Sequence, residues 1–190
     1  MIAQERHGDL EVLRAGDRGA PRVVVLHGFP DHPPTFAPLV ERIAAAGYDV
    51  IAPWLRGYGP SIGGGPYDPE TIARDVLSLV EDRAFLVGHD WGAVATYAAC
   101  ALAPDRIRAA VAIAVPHPMA FLRSFVTTAQ LARSWYMLAF QLPGFPTIAA
   151  ARDLALIDLL WRRWSPGARL GDEARASLHA DLRAHWPAPI

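Results

Sequence analysis

FLVGHDWGAVA, residues 85–95, places an aspartate between two glycines, with an apolar run before it and an alanine-rich run after it. The pattern predicts a strand, a sharp turn and a helix, with Asp90 projecting from the turn. Such a turn needs glycine two positions before and after its apex, because backbone segments approach closely there. Gly88 and Gly92 occupy those positions. The unit indicates an α/β fold with a reactive group at the end of a strand.

The residues alone allow two interpretations of Asp90. An aspartate before a helix is typical of an N-cap, whose side chain accepts hydrogen bonds from the first-turn amides. At the apex of a sharp turn it is instead a candidate nucleophile, since a carboxyl with a pKa of about 3.9 is an anion at neutral pH and needs no base before it attacks. Attack would leave an alkyl ester on the protein, which suits the opening of an epoxide or the displacement of a halide.

Strands and helices alternate along the first two thirds of the chain. Apolar or alternating runs predict strands at 9–15, 22–27, 48–52, 84–88 and 107–115, and helical spacing predicts helices at 38–47, 69–80 and 91–103. This alternation predicts a mostly parallel, doubly wound sheet with its reactive groups beyond the carboxyl ends of the strands.

The pattern changes to helices alone after residue 117. Helix formers with apolar faces predict helices at 119–141 and 148–164, and a polar amphipathic stretch predicts another at 171–185. We therefore expect part of an α/β core over residues 1–116 and part of a helical lid over residues 117–190.

Composition excludes several classes of function. The 190 residues, 52% hydrophobic, are enough for one domain with an appended part, and a formal net charge of −1 offers no basic surface to nucleic acid. No lysine is present for Schiff-base chemistry. Cys100 is the single cysteine and is expected to pack as a small buried residue. Without a signal-like amino terminus or a membrane-length apolar run, the sequence indicates a cytoplasmic protein with no membrane partner.

Three loops resemble those of the α/β-hydrolase superfamily, specifically its epoxide hydrolase branch. HGFPD at 27–31 is similar to the family's H-G-F-P-[ED] loop, RGYGPS at 56–61 to its R-G-Y-G-x-S loop, and GHDWG at 88–92 to its nucleophile elbow. The resemblance implies an α/β-hydrolase fold and a hydrolase that opens a small-molecule epoxide through an alkyl ester on Asp90. It implies no cofactor and no metal.

The resemblance also implies an oxyanion hole beside Asp90. The backbone N–H groups of Phe29 and Trp91 would stabilise the charge that develops when water attacks the ester. Pro30 would stiffen the turn that holds the first of these amides. His27 and Gly28 would support the same loop.

Tyr136 is the candidate proton donor. It lies in SWYMLAFQLPG, residues 134–144, which resembles the lid segment whose tyrosine donates its phenolic hydrogen to the epoxide oxygen. Packing of an aromatic side chain in a helix is the alternative. Arg56 and Tyr58, in the second loop, are expected to pin that loop.

Other families depart from this chain at identifiable positions. Haloalkane dehalogenases resemble it at Asp90 and Trp91 but usually have an amide or acidic residue where Phe29 stands. Fluoroacetate dehalogenases share the H-G-F-P loop but usually follow the nucleophile with arginine. Either remains an alternative to an epoxide hydrolase.

The family pattern also implies groups that these 190 residues do not include. An acid and a histidine are expected after later strands, so the sequence predicts a fold truncated after the family's sixth strand and the lid, with full turnover in doubt. His117 could replace the missing base, although a hinge into the lid suits its position better. An inactive paralogue or dimerising module is the remaining interpretation, with the strand at 109–115 as an open edge for self-association.

Overall fold

Six strands form one mixed sheet in the described part of the chain. The computed structural model describes residues 1–124, 127, 130 and 134–188. The strands are β1 (Ala3–His7), β2 (Leu10–Ala15), β3 (Arg22–Leu26), β4 (Asp49–Pro53), β5 (Ala84–His89) and β6 (Ile107–Ile113). Their order across the sheet is β1-β2-β4-β3-β5-β6. The neighbours from β4 to β6 are parallel, whereas β1 and β2 join antiparallel at one edge.

The helices fall into two groups. Three connect the strands: α1 (Ala37–Ala45), α2 (Pro69–Ser78) and α3 (Trp91–Leu102). Four lie after β6 in the part of the chain that the structure describes and are called here the helical segment: α4 (Pro118–Ser124), α5 (Trp135–Phe140), α6 (Phe145–Trp164) and α7 (Asp172–Ala184). Short 3-10 turns occupy Pro33–Phe36 and Pro104–Arg106.

The predicted elements are present, with different boundaries. The expected helix at 119–141 corresponds to α4 and α5, and much of what separates them lies outside the described residues. α6 begins earlier than predicted and has non-helical backbone at residues 151–154, three of them with positive φ.

The centre of the sheet is buried on both faces, which explains its unbroken apolar runs. Val24, Leu26 and Ile51, in β3 and β4, are fully buried, as expected of parallel strands covered by helices. β6 differs because it is an edge strand of the described sheet, and its Val111 and Ile113 side chains are 53% and 43% exposed.

β1 was missing from the sequence prediction. Its residues, AQERH, contain no apolar alternation, and most of its side chains are exposed. Main-chain pairing with β2, in register from Ala3 opposite Arg14 to His7 opposite Leu10, creates the strand. A side-chain pattern therefore could not reveal it.

A buried ion cluster fixes the opposite end of the sheet from the sharp turn. Asp49, at the start of β4, accepts hydrogen bonds from the guanidinium groups of Arg14 at 2.8 Å and Arg22 at 2.9 Å. All three residues are buried, and Arg22 and Asp49 are register partners in β3 and β4. The cluster therefore ties the two central strands to β2.

Candidate active site

Asp90 lies at the turn between β5 and α3 with φ 53° and ψ −115°, a conformation that L residues rarely adopt. The turn needs its two glycines for lack of space. A Cβ on Gly88 would lie 2.2 Å from the Gly92 carbonyl oxygen, and a Cβ on Gly92 would lie 2.3 Å from that of Leu26. The predicted sharp turn is therefore present, and it holds Asp90 above the carboxyl end of the sheet.

The N-cap interpretation of Asp90 is wrong. Although Asp90 occupies the position before α3, its side chain makes no capping hydrogen bond. Its Oδ2 instead accepts a hydrogen bond of 2.9 Å from the backbone N–H of Phe29, and the adjacent N–H of Trp91 favours the charged form of the carboxylate. The carboxylate is thus bonded to one of the two amides that the sequence suggested as an oxyanion hole, and it adjoins the other along the chain.

Two opposing effects set the acidity of Asp90. Burial raises its pKa, because a charged carboxylate loses hydration there. The hydrogen bond from the Phe29 amide lowers the pKa, as do the Trp91 amide and the nearby His89, but they do not cancel the effect of burial. Asp90 is therefore a weaker acid than an exposed aspartate.

The loop after β3 is closely fitted to Asp90. A Cβ on Gly28 would lie 2.4 Å from Asp90 Cβ and 2.7 Å from its Oδ2. No larger residue could bring the following amide to the carboxylate without displacing it. The N–H of Asp31 donates to the Gly28 carbonyl at 3.0 Å and closes a turn with Phe29 and Pro30 at its centre.

His27 braces this loop with both ring nitrogens. Its Nε2 accepts a 3.0 Å hydrogen bond from the N–H of Leu55, which leaves the proton on Nδ1 to donate to the Gly28 carbonyl at 3.1 Å. Burial lowers the pKa of His27 to about 3, so the ring is neutral at physiological pH. Both nitrogens are therefore engaged by the backbone.

The phenol of Tyr136 interacts electrostatically with the carboxylate of Asp90. It belongs to α5, and its ring packs against Trp164 with centroids 4.7 Å apart. Burial, and then the charge of Asp90, raise the pKa of Tyr136 to about 12. The phenol therefore keeps its proton at neutral pH.

The second loop packs beneath the first. Tyr58 is buried, and its ring meets that of His27 edge to face at 4.6 Å. Arg56 binds both carboxylate oxygens of Asp75 at 2.8 Å. A cavity of about 190 Å³ adjoins this loop. Trp91 and Tyr58 line it, whereas Asp90 and Tyr136 do not.

Sequence reasoning missed the contacts that the helical segment makes with the loop after β3. The ring of Phe140 meets that of Phe29 edge to face at 5.5 Å, and Trp161 Nε1–H donates to the Pro30 carbonyl at 3.0 Å. The second of these joins residues 131 positions apart. Aromatic residues at buried helical positions were the available signal, and that signal does not identify a partner.

Three further observations complete the site. His117 Nδ1 accepts a hydrogen bond from the Met119 N–H at 3.3 Å, where α4 begins, and its ring packs against Tyr97. Among the described residues, no group of three or more His, Cys, Asp or Glu side chains could hold a metal ion. None of the described helices combines the length and hydropathy needed to cross a membrane.

Comparison with known proteins gives a family and a set of relatives. The family model described as alpha/beta hydrolase fold matches residues 21–156. Epoxide hydrolase A of Mycobacterium tuberculosis is 40% identical over 148 residues, which cover 71% of this chain and 45% of that protein. Epoxide hydrolase 4 of Mus musculus is 31% identical over 184 residues, 91% of this chain and 50% of that protein. The chain thus spans about half the length of these curated relatives.

Solved structures agree on the fold. A candidate epoxide hydrolase from Pseudomonas aeruginosa matches with a TM-score of 0.83 and 25% identity, covering 100% of this chain and 66% of that one. An epoxide hydrolase from Vigna radiata matches with a TM-score of 0.75 over 99% of this chain and 68% of that one, and at 23% identity it is evidence for the fold alone. The fold class predicted from the sequence is confirmed.

Proposed function

Because the chain belongs to the α/β-hydrolase fold family, we propose that it is a hydrolase of the epoxide hydrolase type whose nucleophile is Asp90. The observation that carries the proposal is the hydrogen bond between the Phe29 N–H and Asp90 Oδ2 at 2.9 Å. It engages one carboxylate oxygen and orients the other for attack. The similarity to epoxide hydrolases at 31–40% identity supports the choice of substrate class.

In the first step, Asp90 Oδ1 attacks a carbon of the epoxide ring. A C–O bond forms to the carboxylate while the C–O bond of the strained ring breaks, and the electron pair moves to the epoxide oxygen. Burial supports this step because it removes water that would otherwise solvate the carboxylate. The product is an alkyl ester whose carbonyl oxygen is Oδ2.

Tyr136 supplies the proton that the opened ring needs. An alkoxide is a strong base, so a positioned phenol with a pKa of about 12 can protonate it as the C–O bond breaks. The charge of Asp90 no longer opposes the resulting phenolate once the ester has formed. Helices α4–α7 would act as the lid that carries Tyr136 over the carboxylate.

In the second step, water attacks the ester carbon and negative charge develops on Oδ2. The amide of Phe29 already donates to this oxygen, and we propose that the amide of Trp91 joins it there; together they would stabilise that charge, by on the order of 3 kcal/mol per donor. Water also needs a base. His27 cannot act as one, since both its ring nitrogens are engaged, and the phenolate left on Tyr136 takes its proton back from solvent before the second step. For this 190-residue chain we therefore propose ester formation, with slow or absent release of the diol.

Intact mass spectrometry after exposure to styrene oxide tests the proposal. We expect one covalent adduct per chain that is absent from Asp90→Ala. An adduct of equal yield on that variant would rule out Asp90 as the nucleophile. Halide release from fluoroacetate or a haloalkane, with no reaction of the epoxide, would favour the dehalogenase alternative instead.

We also propose that two copies of the chain associate through β6. This strand is an edge of the described sheet, with exposed Val111 and Ile113 side chains and Arg108 as its single charged residue. Such an edge is a template for pairing with a second strand. Light scattering should show a concentration-dependent dimer that Val111→Lys abolishes, whereas a monomer at all concentrations would contradict it.

A further inference from the structure

The turn that carries the Phe29 amide has few free torsions. It is closed by the hydrogen bond from the Asp31 N–H to the Gly28 carbonyl, with Phe29 and Pro30 between them. The pyrrolidine ring fixes φ of Pro30. Only φ and ψ of Phe29 and ψ of Pro30 can rotate between the Phe29 nitrogen and the Pro30 carbonyl. A group that holds this carbonyl therefore restrains the direction of the Phe29 N–H.

Trp161 is that group. Its indole Nε1–H donates to the Pro30 carbonyl at 3.0 Å from α6, and its side chain is partly buried against the core. Phe140, in α5, supports the same turn through its ring contact with Phe29. The turn is thus held by His27 from the core and by Trp161 from the helical segment.

His32, the residue after this turn, is also bonded to the helical segment. His32 Nδ1 is hydrogen-bonded to Asp181 Oδ2 at 2.7 Å, and the indole N–H of Trp54 donates to the same oxygen. The N–H of Gly59 donates to the Asp181 carbonyl at 3.1 Å. α7 is therefore anchored on both loops, which keeps the position of the helical segment, and with it Trp161, fixed relative to the turn.

We propose that Trp161 is a positioning residue for the oxyanion hole: its bond to the Pro30 carbonyl aims the Phe29 N–H at Asp90 Oδ2. The oxyanion hole is then complete only when the helical segment is docked on this turn. The consequence for catalysis rests on the proposed function, but the structural effect on the Phe29 amide does not.

Two indole groups allow a matched test. Trp161→Phe removes the N–H donor and keeps an aromatic ring in place. Trp186→Phe removes an equivalent donor, because Trp186, just after α7, donates its Nε1–H to the Pro146 carbonyl in α6 at 3.0 Å. Trp161→Leu is a second variant that keeps the position apolar and also lacks the donor.

Hydrogen exchange of the Phe29 amide, followed by NMR on the full chain, measures directly how firmly this N–H is held. We expect exchange about tenfold faster in Trp161→Phe and in Trp161→Leu, which is the scale of one lost hydrogen bond. It should be unchanged in Trp186→Phe. Unchanged exchange at Phe29 in both Trp161 variants would overturn the proposal, as would an equal increase at amides throughout the chain.

The pH profile of adduct formation with styrene oxide separates positioning from general loosening. Weakening the Phe29 donor should move the midpoint of the profile to higher pH in Trp161→Phe, because Asp90 loses an interaction that favours its charged form. A slower rate with an unchanged midpoint would overturn the catalytic part of the proposal. If the unmodified chain forms no adduct, the proposed function fails, while the exchange measurement still decides the role of Trp161.

Discussion

The backbone N–H of Phe29 donates to Oδ2 of Asp90 at 2.9 Å, so the loops that follow β3 and β5 meet at the carboxylate. The two residues are 61 positions apart. Gly28 permits the approach, since a Cβ there would lie 2.4 Å from that of Asp90. One carboxylate oxygen is thereby fixed, and burial keeps the group less acidic than usual.

Asp90→Asn should stabilise the fold at neutral pH. Burial raises the pKa of Asp90 above its unfolded value of about 3.9, so its favourable contribution is complete below that value and is lost as pH rises through the folded pKa. Asparagine retains an oxygen acceptor for the Phe29 N–H and carries no charge. The melting temperature of the variant should exceed that of the parent by about 2–4 °C for each kcal/mol gained.

The pH series provides the check on this stability effect. The difference in melting temperature should widen as pH rises from the acidic to the neutral range. A constant difference, or a less stable variant at neutral pH, would show that the charged carboxylate does not strain the fold.

Tyr136→Phe should slow adduct formation with styrene oxide by about 100-fold, because the opened ring loses its proton donor. Ring packing against Trp164 survives the change, so the melting temperature should stay near that of the parent. Tyr48→Phe is the matched control, since Tyr48 packs on Phe85, in β5 of the core. Equal rates for the two variants would remove Tyr136 from the mechanism.

The rate of adduct formation should rise from acidic to neutral pH and then stay level. The rate is expected to fall at acidic pH as Asp90 takes up a proton, with a midpoint above that of an exposed aspartate. Tyr136 keeps its proton until pH approaches its pKa of about 12, so the rate should stay level between about pH 8 and pH 10. A decline within that interval would indicate a different proton donor.

Asp49→Asn should cost about 3–5 kcal/mol of unfolding free energy, because it leaves the buried charge of Arg14 without its anion and leaves Arg22 with Glu81 alone. Urea denaturation measures the loss. Asp82→Asn, at an exposed position, is the control and should change stability little. A loss of under about 1 kcal/mol would show that the fold does not depend on the charge of Asp49.

The parts of the fold that could be predicted are those with a local pattern. β3 is apolar because both its faces are buried, and β5 because one face is buried and the other partly so. The sharp turn at Asp90 needs Gly88 and Gly92, which lie four positions apart in the sequence. β1 could not be predicted, since its polar residues are recruited by main-chain pairing with β2.

The candidate site was predictable only in part, for a similar reason. The motifs identified Asp90, Phe29 and Trp91 as a group, and the structure brings them together. The bond from Trp161 to Pro30 depends on how the helical segment docks, which no spacing along one helix encodes. Likewise, the raised pKa of Asp90 comes from burial by distant elements.

Locating the adduct within the chain tests the central claim most directly. After reaction with styrene oxide, proteolysis at arginine yields the peptide from Ala84 to Arg106, which contains Asp90 and Cys100. Burial raises the pKa of the Cys100 thiol and disfavours its reactive thiolate, so fragmentation of the peptide should place the adduct on Asp90. An adduct on Cys100, or on any residue other than Asp90, would contradict the account.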